Sequence, residues 1–226
     1  MIKDLIYTLK NVFGWVTTVH PIGKKFARRL LMIAAISFLF LYLISNCWAW
    51  FFLKLFVLLA IFTAFFFRNP ERKTRINADE IISPADGKIL SIKTEGDKDK
   101  IVIRIFLSIF DVHIQRSPVK GKITDTKYIP GSFLFANNKG ADKNERNITK
   151  ILTTNKKEFI VEQITGAIAR RIECFVKPKE TVEAGQRIGI IYFGSQVALH
   201  VPKSVKIICK EGQKVEGGLT TIGLLK

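Results

Sequence analysis

The chain is poor in the residues that build disulfide-rich or metal-centred proteins. Only three cysteines occur, Cys47, Cys174 and Cys209, and no two form a CxxC pair. That excludes a disulfide-dense scaffold and a zinc ribbon. Three histidines, His20, His113 and His200, are too few and too dispersed for a multi-histidine metal site. No GxGxxG, GxxxxGK[ST] or HExxH run is present, and Ser195 does not sit in a GxSxG elbow. Acidic residues are scarce as well: 19 Asp and Glu face 36 Lys and Arg, for a net charge of +17. A disordered basic tail is excluded, because 48% of the 226 residues are hydrophobic and only 24% charged.

The apolar residues are unevenly spread. Residues 30–67 carry a single charge, Lys54. As one helix this run would be roughly 57 Å long, against about 30 Å of bilayer hydrocarbon. The arithmetic predicts two helices joined near Ser45-Asn46-Cys47, with Trp48 and Trp50 in an interfacial belt and Lys54 reaching back to it. Lys24, Lys25, Arg28 and Arg29 precede the run, and Arg68, Arg72, Lys73 and Arg75 follow it. A single pass would split these charges evenly. A hairpin puts all eight on one side, which the positive-inside rule makes cytoplasmic. The expected organisation is a juxtamembrane segment 1–29, a two-helix membrane hairpin 30–67 and a catalytic domain 68–226, at the inner cell membrane. The competing reading is a buried helix pair in a soluble protein. The basic excess suits an anionic partner, and beside a membrane anchor lipid headgroups are nearer than nucleic acid.

Beyond residue 75 the pattern is of short β-prone runs between Gly, Pro, Asn and Asp. They fall at 88–93, 101–109, 122–128, 148–154, 159–164, 172–177, 187–193, 196–201, 205–210 and 219–225. This predicts a mainly β domain of sandwich or barrel type, a β-rich α+β fold beside the N-terminal transmembrane helical hairpin. Residues 165–172 are the one stretch that reads as helical. Val182-Glu183-Ala184-Gly185 and Val215-Glu216-Gly217-Gly218, each followed by an Ile-Gly pair, resemble turns of biotinyl/lipoyl (barrel-sandwich-hybrid) domains. No lysine occupies the position that such carriers modify.

Three residues carry candidate chemistry: Asp86 in Ser83-Pro84-Ala85-Asp86-Gly87, His113 in Asp111-Val112-His113-Ile114-Gln115-Arg116-Ser117-Pro118, and Ser195 after Gly194. Each alone has a plain structural reading: a turn aspartate, a strand histidine and a hairpin serine. Together they are the parts of an activated nucleophile, an Asp orienting a His that takes the serine proton. The Gly194 carbonyl is the adjacent target, with no side chain to block attack.

At these residues the sequence resembles the short-form phosphatidylserine decarboxylase proenzymes. The likeness runs through Phe66-Phe67-Arg68-Asn69-Pro70-Glu71-Arg72, the two motifs just quoted, Pro130-Gly131-Ser132-Phe133, Asn144-Glu145-Arg146-Asn147, Ala169-Arg170-Arg171-Ile172 and Phe193-Gly194-Ser195. The resemblance implies self-cleavage between Gly194 and Ser195 into chains 1–194 and 195–226, which stay together as a heterodimer. Ser195 would become a pyruvoyl group, the covalent cofactor. It would hold phosphatidylserine as a Schiff base and accept the electrons left by CO₂, giving phosphatidylethanolamine. Within the resemblance, Arg170 or Arg171 suits the lipid phosphate, and 144–147 suits a loop over the site. Long-form relatives commonly carry a second histidine where this chain has Phe110, so the donor of a proton to the carbanion stays open. Two other readings compete: a membrane-tethered adaptor without catalysis, and a membrane-bound serine hydrolase.

Overall fold

The computed structural model describes residues 19–42, 48–74, 77, 79–97, 99–132, 143–166, 171–192 and 195–225. The chain divides into two compact units, Met1–Glu71 and Arg72–Lys226.

The first unit holds two packed helices, α1 (Pro21–Tyr42) and α2 (Trp48–Phe66). Proline starts α1, where its missing N–H is no loss and its fixed φ suits the first turn. The open end of the pair is closed by a Val19–Arg68 bridge and by the His20 N–H donating to the Phe67 carbonyl at 2.8 Å. Toward the other end Phe38 and Trp50 stack edge to face, 5.1 Å between centroids. Both helices leave large apolar side chains exposed, among them Ile36, Leu39, Trp48, Trp50 and Leu58. Among the described residues, no helix is long and apolar enough to cross a membrane. The turn expected at 45–47 lies outside the described residues, and α1 begins nine residues before the apolar run.

The second unit is mainly β, fourteen strands among the described residues: β1 (Glu80–Ile82), β2 (Gly87–Lys93), β3 (Lys100–Leu107), β4 (Ile114–Arg116), β5 (Gly121–Ile129), β6 (Arg146–Leu152), β7 (Glu158–Thr165), β8 (Ile172–Cys174), β9 (Thr181–Val182), β10 (Arg187–Ile191), β11 (Ser195–Pro202), β12 (Val205–Ile207), β13 (Lys214–Val215) and β14 (Thr221–Leu225). An eight-stranded sheet runs β13-β2-β3-β11-β7-β6-β5-β9, beside two three-stranded sheets, β1-β14-β12 and β4-β10-β8. Every pairing between these strands is antiparallel. The ten runs read from the sequence each contain a strand. The four strands not anticipated, β1, β4, β9 and β13, have only two or three residues, too few to show alternation. The helical reading of 165–172 cannot be followed, because 167–170 lie outside the described residues.

Alternation builds the core. On β7, Phe159 and Val161 point inward; on β11, Val197, Leu199 and Val201; on β3, Ile103, Ile105 and Leu107. Together with Ile188, Ile191, Val215 and Ile222 they form one cluster joining all three sheets. Gly87, in the Ser-Pro-Ala-Asp-Gly motif, has a φ of +145°, and a Cβ there would lie 2.0 Å from the Phe106 carbonyl oxygen. Only glycine lets the chain turn onto β2 at that contact.

Candidate functional site

Toward one end of the large sheet the inward positions change character. On β7 the inward series Phe159, Val161 continues as Gln163, Thr165; on β6, Ile151 gives way to Thr149 and Asn147. All four polar residues are buried. A polar residue in a core-facing position needs an internal partner, and each of these has one.

Asn147 Nδ2 donates to Gln163 Oε1 at 3.0 Å. Gln163 Nε2 donates to Gln115 Oε1 at 2.8 Å, and Gln115 Nε2 donates to the His113 carbonyl at 2.8 Å. The relay passes from the large sheet to β4 of the small one over Gly189. A Cβ on Gly189 would sit 2.4 Å from Gln163 Nε2, so the glycine is the gap through which the amide reaches. The same His113 carbonyl accepts from the Ile191 N–H at 3.2 Å. Ile191 ends β10, four residues before Ser195.

Ser195 opens β11. Its backbone is paired on one side with Leu107, the last residue of β3, and on the other with Thr165, the last of β7. Thr165 is fixed in turn: its carbonyl accepts from Asn144 Nδ2 at 2.8 Å, and its N–H and hydroxyl both donate to the Glu145 carbonyl. The 144–147 stretch thus braces the strand beside Ser195. Phe193 and Gly194 lie outside the described residues.

His113 precedes β4 rather than lying on a strand, and it is 1% exposed. Its Nδ1 lies 2.9 Å from the Asp111 carbonyl oxygen. A carbonyl only accepts, so Nδ1 carries the proton, and in the neutral ring Nε2 is then the basic nitrogen. Asp111 belongs to a tight turn closed by its own carboxylate, which accepts from the N–H and hydroxyl of Ser108, each at 2.8 Å.

Asp86, expected to orient the histidine, binds Arg72 and Gly217. Its carboxylate accepts from Arg72 on both oxygens, Nη2 to Oδ2 at 2.8 Å, and from the Gly217 N–H at 2.8 Å. Burial alone would lower the Arg72 pKa; Asp86, and more weakly Glu216, override it and raise the guanidinium above its ordinary value. Arg72 was not singled out as a site residue by sequence reasoning, nor were Gln115 and Gln163. The signal for Gln163 was there, as a polar residue on the inward phase of β7, whereas Gln115 lies on a strand too short to show a phase.

Of the two arginines considered for phosphate, Arg170 lies outside the described residues. Arg171 is exposed, its carbonyl accepts from the Tyr192 N–H at 3.1 Å, and its guanidinium stands 5.9 Å from the Tyr192 ring centre. Burial, then Glu173, pushes the Tyr192 phenol up to about 12, so it stays a donor to Glu173 across the working pH range. His200 lies on β11 with Nε2 3.2 Å from Glu162 Oε1. Cys209 is buried and Cys174 half-buried. A cleft of about 340 Å³ lined by Asn77, Glu80, Lys120 and Glu183 contains none of the candidate catalytic residues.

Residues 59–223 match the family model for phosphatidylserine decarboxylase. The chain belongs to the phosphatidylserine decarboxylase family. It is 41% identical over 169 residues to the phosphatidylserine decarboxylase proenzyme of Syntrophus aciditrophicus, covering 72% of this chain and 79% of that one. It is 37% identical over 213 residues to that of Burkholderia vietnamiensis, 92% of this chain and 98% of the relative. The proenzyme of Carboxydothermus hydrogenoformans is 43% identical over 176 residues, 75% of this chain and 82% of its own. The matched span of the family model includes Asp86, His113 and Ser195, so the decarboxylase family and the bonded site residues occupy the same stretch.

Proposed function

We propose that this family member cleaves itself between Gly194 and Ser195 and then decarboxylates phosphatidylserine to phosphatidylethanolamine. The observation that carries the reading is that Ser195 opens a doubly paired strand, while His113, whose Nδ1 is fixed by the Asp111 carbonyl, accepts through its own carbonyl from the Ile191 N–H, four residues before Ser195. In the first step Ser195 Oγ adds to the Gly194 carbonyl carbon. His113 Nε2 takes the hydroxyl proton and returns it to the Ser195 nitrogen as the C–N bond breaks and the ester forms. Loss of the Ser195 Cα proton then expels the Gly194 carboxylate, leaving dehydroalanine, and water converts this to a ketone with release of ammonia.

The surroundings fit a pyruvoyl group at position 195. The residue is held by backbone pairing on both sides, so it keeps its place once the chain is cut. The group's contribution is an electron sink for the pair left at Cα when CO₂ departs. The chain's own residues do the rest: Thr165 and Leu107 hold the backbone of 195, the Asp111 carbonyl keeps His113 in its basic tautomer, and Arg171 offers a guanidinium for the lipid phosphate. Asp86 acts as a positioning residue through Arg72 and Gly217.

The small chain 195–226 would remain bound without a covalent link. It supplies β11 between β3 and β7, and β14 between β1 and β12, with Val197, Leu199, Val201 and Ile222 in the core. Membrane attachment, with the catalytic unit on the cytoplasmic side, is supported by the exposed apolar faces of α1 and α2 and by the basic residues at the start of α1 and after α2, which share one end of the pair.

Denaturing electrophoresis with mass spectrometry of the small chain tests the mechanism. The wild type gives two chains, the smaller starting with a blocked residue 195, and Ser195→Ala gives one. Cleavage that persists in Ser195→Ala, or full activity from an uncut chain, refutes it. An uncut, inactive wild type returns the case to the adaptor reading.

A further inference from the structure

The second unit is built twice. Ser83-Pro84-Ala85-Asp86-Gly87-Lys88-Ile89 returns as Ser117-Pro118-Val119-Lys120-Gly121-Lys122-Ile123. Each serine hydroxyl donates to the carbonyl two residues on, at 2.7 Å. Each serine also exchanges main-chain bonds with its own glycine-bearing turn, Ser83 with Gly218 and Thr220, Ser117 with Gly185 and Gln186, all at 2.8 Å. The two copies hold each other reciprocally: the Ile82 N–H donates to the Pro118 carbonyl, and the Arg116 N–H to the Pro84 carbonyl. The order of the large sheet reads the same from either edge once β13, β2, β3 and β11 are matched with β9, β5, β6 and β7. One copy is thus β1–β3 with β11–β14. The other, β4–β10, interrupts it between the paired residues Leu107 and Ser195.

The match supplies a comparison inside one molecule. Lys88 pairs with Phe106 and Phe106 with Gln196; in the other copy Lys122 pairs with Leu152 and Leu152 with Glu158. Along these registers Ile101, Ile103 and Val201 correspond to Asn147, Thr149 and Gln163. On the small sheets Ile81 pairs with Gly223 and Gln115 with Gly189, so Ile81 corresponds to Gln115. The first copy fills these four positions with aliphatic side chains, Ile81, Ile103 and Val201 fully buried and Ile101 partly. That filling suits the scaffold and adds apolar burial. The second copy replaces it by three amides and a hydroxyl, all buried.

A buried polar set that the same fold does without in its other copy has a task besides folding. We infer that Gln115, Asn147 and Gln163 are positioning residues for self-cleavage, tying the segment that carries His113 to the strand that flanks Ser195. Gln163 stands on β7 two residues before Thr165, the ladder partner of Ser195, and Asn147 holds its Oε1. Through Gln115 it reaches the His113 carbonyl. The Asp111 carbonyl fixes the ring of the same residue at Nδ1. With main chain and ring both tied, Nε2 keeps one place, and a base held in place is what a proton transfer needs. The inference rests on the self-cleavage reading and adds the residues that hold its base.

The test rewrites the second copy with the side chains of the first: Gln115→Ile, Asn147→Ile, Thr149→Ile and Gln163→Val together, so that none of the four is left as an orphaned polar group. The full chain in detergent melts within about five degrees of the parent, and self-cleavage slows about tenfold or more. On a Ser195→Ala background, nitrogen NMR spectra of labelled histidine read the ring itself. The parent shows one protonated and one bare nitrogen for His113, and the rewritten chain shows averaged shifts, with His20 and His200 unmoved. Gln115→Met, which keeps the side-chain length and drops only the donor, gives both changes to a smaller extent. Parental half-times and His113 shifts in both variants overturn the inference. So does a rewritten chain that does not fold, since the amides would then serve the scaffold. A wild type that is never cut sinks the proposed function; the histidine spectra of the uncut chains then decide the positioning role by themselves, averaged shifts upholding it and unmoved shifts overturning it.

Discussion

Replacing Gln163 by leucine tests whether the buried amide relay behaves as one unit. The glutamine accepts from Asn147 at 3.0 Å and donates to Gln115 at 2.8 Å, with all three side chains buried. Leucine fills a similar volume but leaves Gln115 Oε1 without its donor and Asn147 Nδ2 without its main acceptor. Each orphaned buried group costs about 1–3 kcal/mol, so the substitution should cost roughly 2–6 kcal/mol. Gln115→Leu orphans Gln163 Nε2 and takes from the His113 carbonyl one of its two donors; Ile191 remains. Its cost should be about 1–3 kcal/mol. The double variant removes the Gln163–Gln115 bond from both sides and leaves only Asn147 Nδ2, which still has Thr149 Oγ1 at 3.3 Å. The double should therefore cost less than the sum of the singles by more than about 1 kcal/mol. Guanidinium titration of the full chain in detergent, on a Ser195→Ala background so that every sample is one chain, measures this. Self-cleavage half-times on the wild-type background should lengthen for Gln115→Leu, which touches His113, more than its stability loss explains. Additivity within about 0.5 kcal/mol, or a neutral Gln163→Leu, would refute the relay.

Gly87→Ala should destabilise by at least about 2 kcal/mol, because the new Cβ meets a carbonyl at 2.0 Å in a backbone conformation alanine avoids. A melting temperature within about a degree of the parent would show that the turn onto β2 is misread. Burial favours the neutral form of Glu162, but His200, with Arg146 and Arg104, outweighs it and holds the carboxyl below its ordinary value. A depressed folded pKa gives stability present above the unfolded value of about 4.3 and lost as pH falls through the folded value. The wild-type melting temperature should therefore fall more steeply than that of Glu162→Gln from about pH 5 to pH 3; parallel profiles would refute the pairing.

The strands were legible where β-prone residues ran together between turn residues, as in Phe159-Ile160-Val161-Glu162 on β7. The four that were missed have only two or three residues, as in β4, whose Gln115 turns out to touch both His113 and Gln163. The helix pair was legible from length and apolarity alone. The candidate chemical residues stand out in the sequence only as a set, because Asp86, His113 and Ser195 each have a commoner use. What the sequence could not convey was partnership across distance. Arg72 and Asp86 are fourteen residues apart, and no periodicity links them. Gly189 reads only as half of an Ile-Gly pair after a turn, yet its reason is a side chain from another sheet passing over it.

That long-range partnership gives the Ser83–Gly87 motif a second task. Its bonds run to the turn that the small chain would carry. The Gly218 N–H donates to the Ser83 carbonyl at 2.8 Å, the Ser83 N–H donates to the Thr220 carbonyl at 2.8 Å, and the Gly217 N–H donates to Asp86. Arg72 closes the loop by binding both Asp86 and the Gly217 carbonyl, and Thr74 Oγ1 donates to the Gly218 carbonyl at 2.9 Å. All of these contacts except the Arg72–Asp86 pair join a residue before the proposed cut to one after it. A carboxylate at position 86 is the group that can take a guanidinium and an amide N–H at once. The aspartate that the sequence nominates for catalysis is therefore also a clasp, and a self-cleaving chain needs one: the core strands resist separation along their length, while the turn at 215–218 is seated by the short β13–β2 pairing, by buried Val215 and by this polar clamp.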